Sequence, residues 1–136
     1  MKIAISTSEG GLKDNIYPVF GRCPTFTIAT VEGDSIKKTE VMPNPGGQAG
    51  GGAGVAAAQA VINAGAEGII TGNCGPNALV VLQQANVKVY SFTGTVEDAV
   101  KELLAGKLPA ISTPTAPGHF GMGFGRGRGF GRGGRR

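Results

Sequence analysis

The chain has no tryptophan, one histidine and two cysteines among its 136 residues, and each scarcity excludes a chemistry. The lone His119 lies in a glycine- and arginine-rich stretch beyond the last foldable segment, so a histidine-based triad finds no support. No apolar run approaches the roughly 18 residues a membrane span needs, and the N-terminal KIAIS is too short for the apolar core of a signal peptide. The expected compartment is therefore the cytoplasm, where thiols stay reduced, and Cys23 and Cys74 are read as free thiols or metal ligands rather than a bridge. The nucleotide-binding signatures are missing too. No Gly-Lys-Ser or Gly-Lys-Thr follows the glycines, and GAGVAA (52–57) lies a long loop away from its strand, with no acidic residue about twenty positions on. KIAIST and GIITG carry no carboxylate, which excludes a two-metal nuclease built on central strands.

Acidic excess is absent as well, but the net charge of +4 belongs to one end. Five of the thirteen lysines and arginines fall at 126, 128, 132, 135 and 136, leaving eight basic against nine acidic residues elsewhere. One domain is expected over 1–108, followed by a tail over 109–136 whose glycine and arginine content cannot build a core and reads as disordered. Arginine and phenylalanine among glycines suit single-stranded nucleic acid or another polyanion, and equally a solubilising tail or a tether drawn to an anionic site.

What is present has a clear order. KIAIST (2–7), PTFTIATV (24–31) and SIKKTEVM (35–42) read as strands, the last two joined by a turn at Glu32-Gly33-Asp34. Val55, Ala58, Val61 and Ile62 recur at helical spacing and Gly65 ends that helix. GIITG (68–72) and VKVYSF (87–92) are strands, PNALVVLQQA (76–85) starts a helix with proline, and TVEDAVKELLAG (95–106) starts one with Thr95 and Asp98 at capping-box spacing. This βββαβαβα order predicts an α/β fold with a five-stranded mixed sheet, order 3-2-1-4-5, strand 2 antiparallel, and three helices.

In that topology the loops 8–23, 43–53, 72–75 and 93–95 meet at the carboxyl edge of the sheet, beside strand 1, where connections diverge and ligands settle. Three of them deliver a helix start there. Cys23 and Cys74 fall on this edge two strand spacings apart, roughly 10 Å, which is too far for a disulfide and suitable for two thiolates facing one cluster; two buried thiols packed as small hydrophobes is the competing reading. The run PNPGGQAGGGAGVAAAQA (43–60) offers bare backbone before a helix, which either cradles an anion with N–H groups or serves as a plain loop.

VFGRCPTF (19–26), NPGGQAGGGAGVAAAQ (44–59), TGNCGPNAL (71–79) and GTVEDAV (94–100) together resemble the nitrogenase iron-molybdenum cofactor biosynthesis family, of the NifX and NifB C-terminal-domain type, over residues 1–108. The resemblance implies a ribonuclease H-like fold that holds an anionic iron-sulfur or molybdenum-sulfur cluster as a carrier or assembly scaffold, without turnover, between cluster donor and acceptor proteins. Some relatives place a histidine where this chain has Val19, and many carry non-ligating residues at the positions of Cys23 and Cys74. The expected cluster contacts are Cys23 and Cys74 as metal ligands, with Arg22, Gly46, Gly47, Gly50, Gly51, Gly52, Gly54, Asn73 and Gly75 enclosing it.

Overall fold

A computed structural model describes residues 1–45, 53–108 and 110–111. Gly46 to Gly52, Pro109 and residues 112–136 lie outside the described residues, and with them most of the glycine cradle and of the polyanion-binding tail anticipated from the sequence.

The strands are β1 (Lys2–Thr7), β2 (Thr25–Glu32), β3 (Ser35–Pro43), β4 (Gly68–Thr71) and β5 (Lys88–Ser91), and the helices are α1 (Ala53–Asn63), α2 (Pro76–Gln84) and α3 (Val96–Leu104). They form one sheet in the order β3-β2-β1-β4-β5. β1 pairs antiparallel with β2 and parallel with β4, and β4 pairs parallel with β5. The β2–β3 hairpin closes between Glu32 and Ser35, and Gly33 supplies the left-handed φ of +62° that this tight turn needs.

Alternation along β1 sorts the core into two layers. Ala4 packs with Phe26, Ile28 and Ile69 under α1 and α2, whereas Ile3 and Ile5 pack with Ala29, Ile70 and the Val96, Ala99 and Val100 face of α3. α1 presents Ala53, Ala57, Ala58 and Val61 to the sheet, small enough to seat α1 close to α2: a Cβ on Gly54 would lie 3.3 Å from that of Ala78.

The sheet's edges are finished differently. β3 is exposed along most of its length and carries Lys37, Lys38 and Glu40, charges that discourage pairing with another chain. At β5 the chain returns: Ala110 bridges to Tyr90, and the Ile111 N–H donates to the Val89 carbonyl at 2.6 Å. Among the described residues no helix is long and apolar enough to cross a membrane.

Candidate functional site at the carboxyl edge of the sheet

The edge is organised around a 3-10 turn, Phe20–Arg22. Phe20 anchors it, buried with its ring centroid 5.3 Å from that of Phe26. On one side Val19 bridges to Asn73, the Phe20 N–H donates to the Asn73 carbonyl at 3.1 Å, and the Asn73 side-chain amide donates back to the Pro18 carbonyl at 3.3 Å. Gly72 permits this approach, since a Cβ there would lie 2.7 Å from the Pro18 oxygen. On the other side Gly21 lies against the first turn of α1, where a Cβ would come within 2.9 Å of both Cα and N of Gly54. Arg22 ends the turn and is exposed.

Arg22, Gly54, Asn73 and Gly75 are therefore on adjoining segments, as the sequence suggested. α2 starts here without a side-chain cap: its N-cap is Gly75, its first position is Pro76, and a Cβ on Gly75 would meet nothing within 4 Å. Such a helix start presents partial positive charge to whatever lies before it.

The two thiols occupy the same side of the sheet but do not face this surface. Cys23 and Cys74 both have 0 % exposure and belong to the hydrophobic cluster under α1 and α2. Cys23 Sγ donates to the Phe20 carbonyl at 3.2 Å. Burial pushes its pKa up to about 12, against the opposing hydrogen bonds from Asn44 and from the Thr7 and Cys23 backbone amides, and burial alone pushes the Cys74 thiol up to about 11. Both are protonated at neutral pH. Open thiolates facing a ligand are thus not what this conformation holds; the small apolar thiol fills a core position at the base of each turn. Among the described residues no group of three or more His, Cys, Asp or Glu side chains is placed to hold a metal ion.

The third helix start departs from expectation. The Val96 and Glu97 amides of α3 donate to the carbonyls of Asp14 (2.9 Å) and Leu12 (3.0 Å), and the Asp98 amide donates to Thr95 Oγ1 (3.2 Å). Its first-turn donors are consumed by the protein itself. The 8–16 loop is likewise closed on itself: one oxygen of Asp14 accepts from the backbone amides of Ser8, Glu9 and Gly10 at 2.9, 3.0 and 2.9 Å, and the other from Asn15 at 2.8 Å. Partial burial raises the Asp14 pKa, but these four bonds outweigh it and hold the carboxyl below its ordinary value. Of the helix starts expected at the rim, that of α3 is thus self-satisfied, while that of α2 has no side-chain cap.

Two residues escaped the sequence reading. Asp14 carries no motif, and only the polar run Lys13-Asp14-Asn15 marks a turn there. Asn44, at the turn-forming Asn-Pro pair before the glycines, is buried, and its Nδ2 donates to the Gly21 carbonyl at 3.3 Å and the Cys23 carbonyl at 2.8 Å.

Comparison with known proteins agrees with this architecture. Residues 1–106 match the family model described as dinitrogenase iron-molybdenum cofactor. An uncharacterized protein of Methanocaldococcus jannaschii is 35% identical over 109 residues, spanning 79% of this chain and 89% of that protein. The apo orange protein of Desulfovibrio gigas superposes with a TM-score of 0.77 at 31% identity, over 85% of this chain and 96% of its own. A NifB-like protein from Thermotoga superposes with a TM-score of 0.71, also at 31% identity, over 85% of this chain and 97% of its own. With the family model running through residues 1–106, nearly all of the folded segment, and solved structures at 31% identity sharing the fold, this chain is a member of the dinitrogenase iron-molybdenum cofactor family.

Proposed function

We propose that the chain is a non-catalytic carrier or assembly scaffold that holds an anionic iron- or molybdenum-sulfur cluster at the carboxyl edge of its sheet, on the α1/α2 side, between donor and acceptor proteins. The observation that carries this reading is the uncapped start of α2 at Gly75, stitched through Asn73 to the turn that bears the exposed Arg22. A sulfide-coated anion placed there meets helix-start N–H groups and a guanidinium, the donors suited to it. Arg22, Gly54, Asn73 and Gly75 contribute directly, with Gly46, Gly47, Gly50, Gly51 and Gly52 supplying the remaining backbone donors.

Cys23 and Cys74 enter at a second step. Each sulfur lies beneath one of the two turns, so a metal reaches it only when the turn lifts and the thiol gives up its proton to the metal bond. Capture and retention are then separable. The test is anaerobic titration of the full chain with tetrathiomolybdate, followed by gel filtration and metal analysis. Arg22→Ala should lower the initial affinity about tenfold. Cys23→Ala/Cys74→Ala should leave capture intact and reduce the metal surviving gel filtration. Absence of binding by the unaltered chain, or equal binding by Arg22→Ala, overturns the reading.

A further inference from the structure

At the opposite, amino end of the parallel strands a cavity of about 330 Å³ opens on the α3 side of the sheet, with Ile3, Glu67, Gly68, Lys88, Tyr90 and Leu103 in its wall. That volume lies at the small end of the range for ligand sites, roughly 300–1,000 Å³. Strand register creates it. Ile3, Gly68 and Lys88 are partners across β1, β4 and β5 and share one face, on which the next row is Ile5, Ile70 and Tyr90. The middle of the first row has no side chain. Gly68 is buried and has no positive φ that would call for glycine. A Cβ there would lie 3.0 Å from Ile3 Cδ1 and 3.5 Å from Tyr90 Cε2, between two of the cavity's apolar walls. Ile3 Cδ1 is the far end of a flexible side chain and can yield, so packing alone does not demand glycine; a strand glycine of this kind marks a place that something else approaches closely.

The mouth carries charge of both signs. The Lys88 N–H donates to the Glu67 carbonyl at 3.2 Å, and the Glu67 N–H to the Lys2 carbonyl at 2.8 Å, which seats Glu67 and Lys88 on neighbouring strand starts. Their exposed side chains nevertheless form no ion pair with each other or with any other described residue; the salt bridge among the described residues is Lys38–Glu40, on β3. The Tyr90 hydroxyl likewise has no hydrogen-bond partner among the described residues, although the residue is half-buried. A carboxylate and an ammonium held at one cavity and left apart suit a ligand that brings a charge of opposite sign to each.

We propose that this cavity binds a free α-amino acid with an apolar side chain. Its ammonium group meets Glu67, its carboxylate meets Lys88 and the Tyr90 hydroxyl, and its side chain lies over Gly68 among Ile3, Tyr90 and Leu103. A simple anion or cation satisfies one of the two charges and is repelled by the other. The site lies at the other end of the strands from the cluster edge and does not rest on the cluster-holding reading.

The experiment is an amide NMR titration of the full chain with L-leucine and with L-phenylalanine, each beside the acid that lacks its amine and the amine that lacks its carboxylate. At least one of the two amino acids should bind and shift the Gly68, Lys88 and Tyr90 amides, and its single-charge analogues should bind about tenfold more weakly or worse. Glu67→Gln and Lys88→Met, at exposed positions, should each lower the affinity about tenfold. Gly68→Ala, which puts a methyl group into the cavity, should lower it at least as far. Binding of neither amino acid, equal binding of a single-charge analogue, or undiminished affinity in either Glu67→Gln or Lys88→Met overturns the site. Shifts confined to residues 20–22 and 72–75 would move the ligand to the carboxyl edge and overturn it equally. Tetrathiomolybdate binding should be unchanged in all three variants, so the two sites are tested separately.

Discussion

The two faces of the sheet end differently at the same edge. On the α3 face every conspicuous donor is already used: the α3 amides by Asp14, Leu12 and Thr95, and the Ser8, Glu9 and Gly10 amides by one carboxylate. A hydroxyl cluster adds to the closure, with Thr7 Oγ1 2.7 Å from Thr25 Oγ1 and 3.1 Å from Thr27 Oγ1. On the α1/α2 face the corresponding positions carry glycines, an uncapped helix and two thiols. A protein can bury or self-satisfy its helix starts, and where it does so on one face only, the other face is where a ligand's charge has something to meet.

The sharpest way to break this comparison is alkaline pH. An unfolded chain releases thiol protons from about pH 8.5, whereas the folded protein keeps them to about 11 at Cys74 and about 12 at Cys23. Above pH 8.5 the unfolded state binds fewer protons, so the unfolding free energy falls as pH rises, at on the order of 1 kcal/mol per pH unit for each thiol, until the folded thiols titrate. Urea melts between pH 8 and 10.5 should show this slope in the unaltered protein and a shallower one in Cys23→Ala/Cys74→Ala. Equal slopes would mean that the sulfurs reach solvent and that the α1/α2 face is more open than described.

Next in size are the backbone contacts that assemble the rim. Gly21→Ala and Gly72→Ala each push a Cβ into main-chain atoms, of Gly54 and Pro18 respectively. Each should cost about 2 kcal/mol or more in urea unfolding, as overpacking against backbone does. A loss below about 0.5 kcal/mol in either would show that the turn can move away freely, and the stitched edge would be a loose one.

The α3 face should fail at the other end of the pH scale. The bonds to Asp14 stabilise the folded state above the unfolded carboxyl pKa of about 3.9 and are lost as pH falls through the lower folded value. Asp14→Ala should therefore cost about 1–2 kcal/mol at pH 7 and flatten the acid limb of the stability profile. It should leave tetrathiomolybdate affinity unchanged, because that carboxylate serves only its own loop. Weakened binding would instead place the 8–16 loop in the site and remove the distinction between the faces.

The sheet was legible because its signals are local. Alternation in KIAIST, the glycine turn at 33 and Thr95 before α3 each act within a few residues, and the order of strands and helices then leaves one economical topology. The convergence of Arg22, Gly54, Asn73 and Gly75 follows from that topology alone. What stayed hidden depends on partners distant in sequence. Nothing near Val96 says that its amide will meet Asp14, and nothing near Cys23 or Cys74 distinguishes a ligand on the rim from a thiol beneath it. Gly21 and Gly72 were invisible for the same reason, since each is required by a neighbour across space, not by its own φ.

The smallest effect is the most discriminating. Gly75 has ordinary extended backbone at φ −78° and ψ 172°, and open space where a side chain would stand, so serine fits there without strain. A serine N-cap accepts from the first-turn amides of α2 and should stabilise the ligand-free protein by a few tenths of a kcal/mol. Those are the donors assigned to the cluster, and the same substitution should therefore diminish the rise in Tm produced by tetrathiomolybdate. Stability and binding move in opposite directions only if the bare start of α2 is part of the site. Gly75→Ser melting higher both alone and with an undiminished ligand shift would show that the anion is held elsewhere, and that α2 merely lacks a cap.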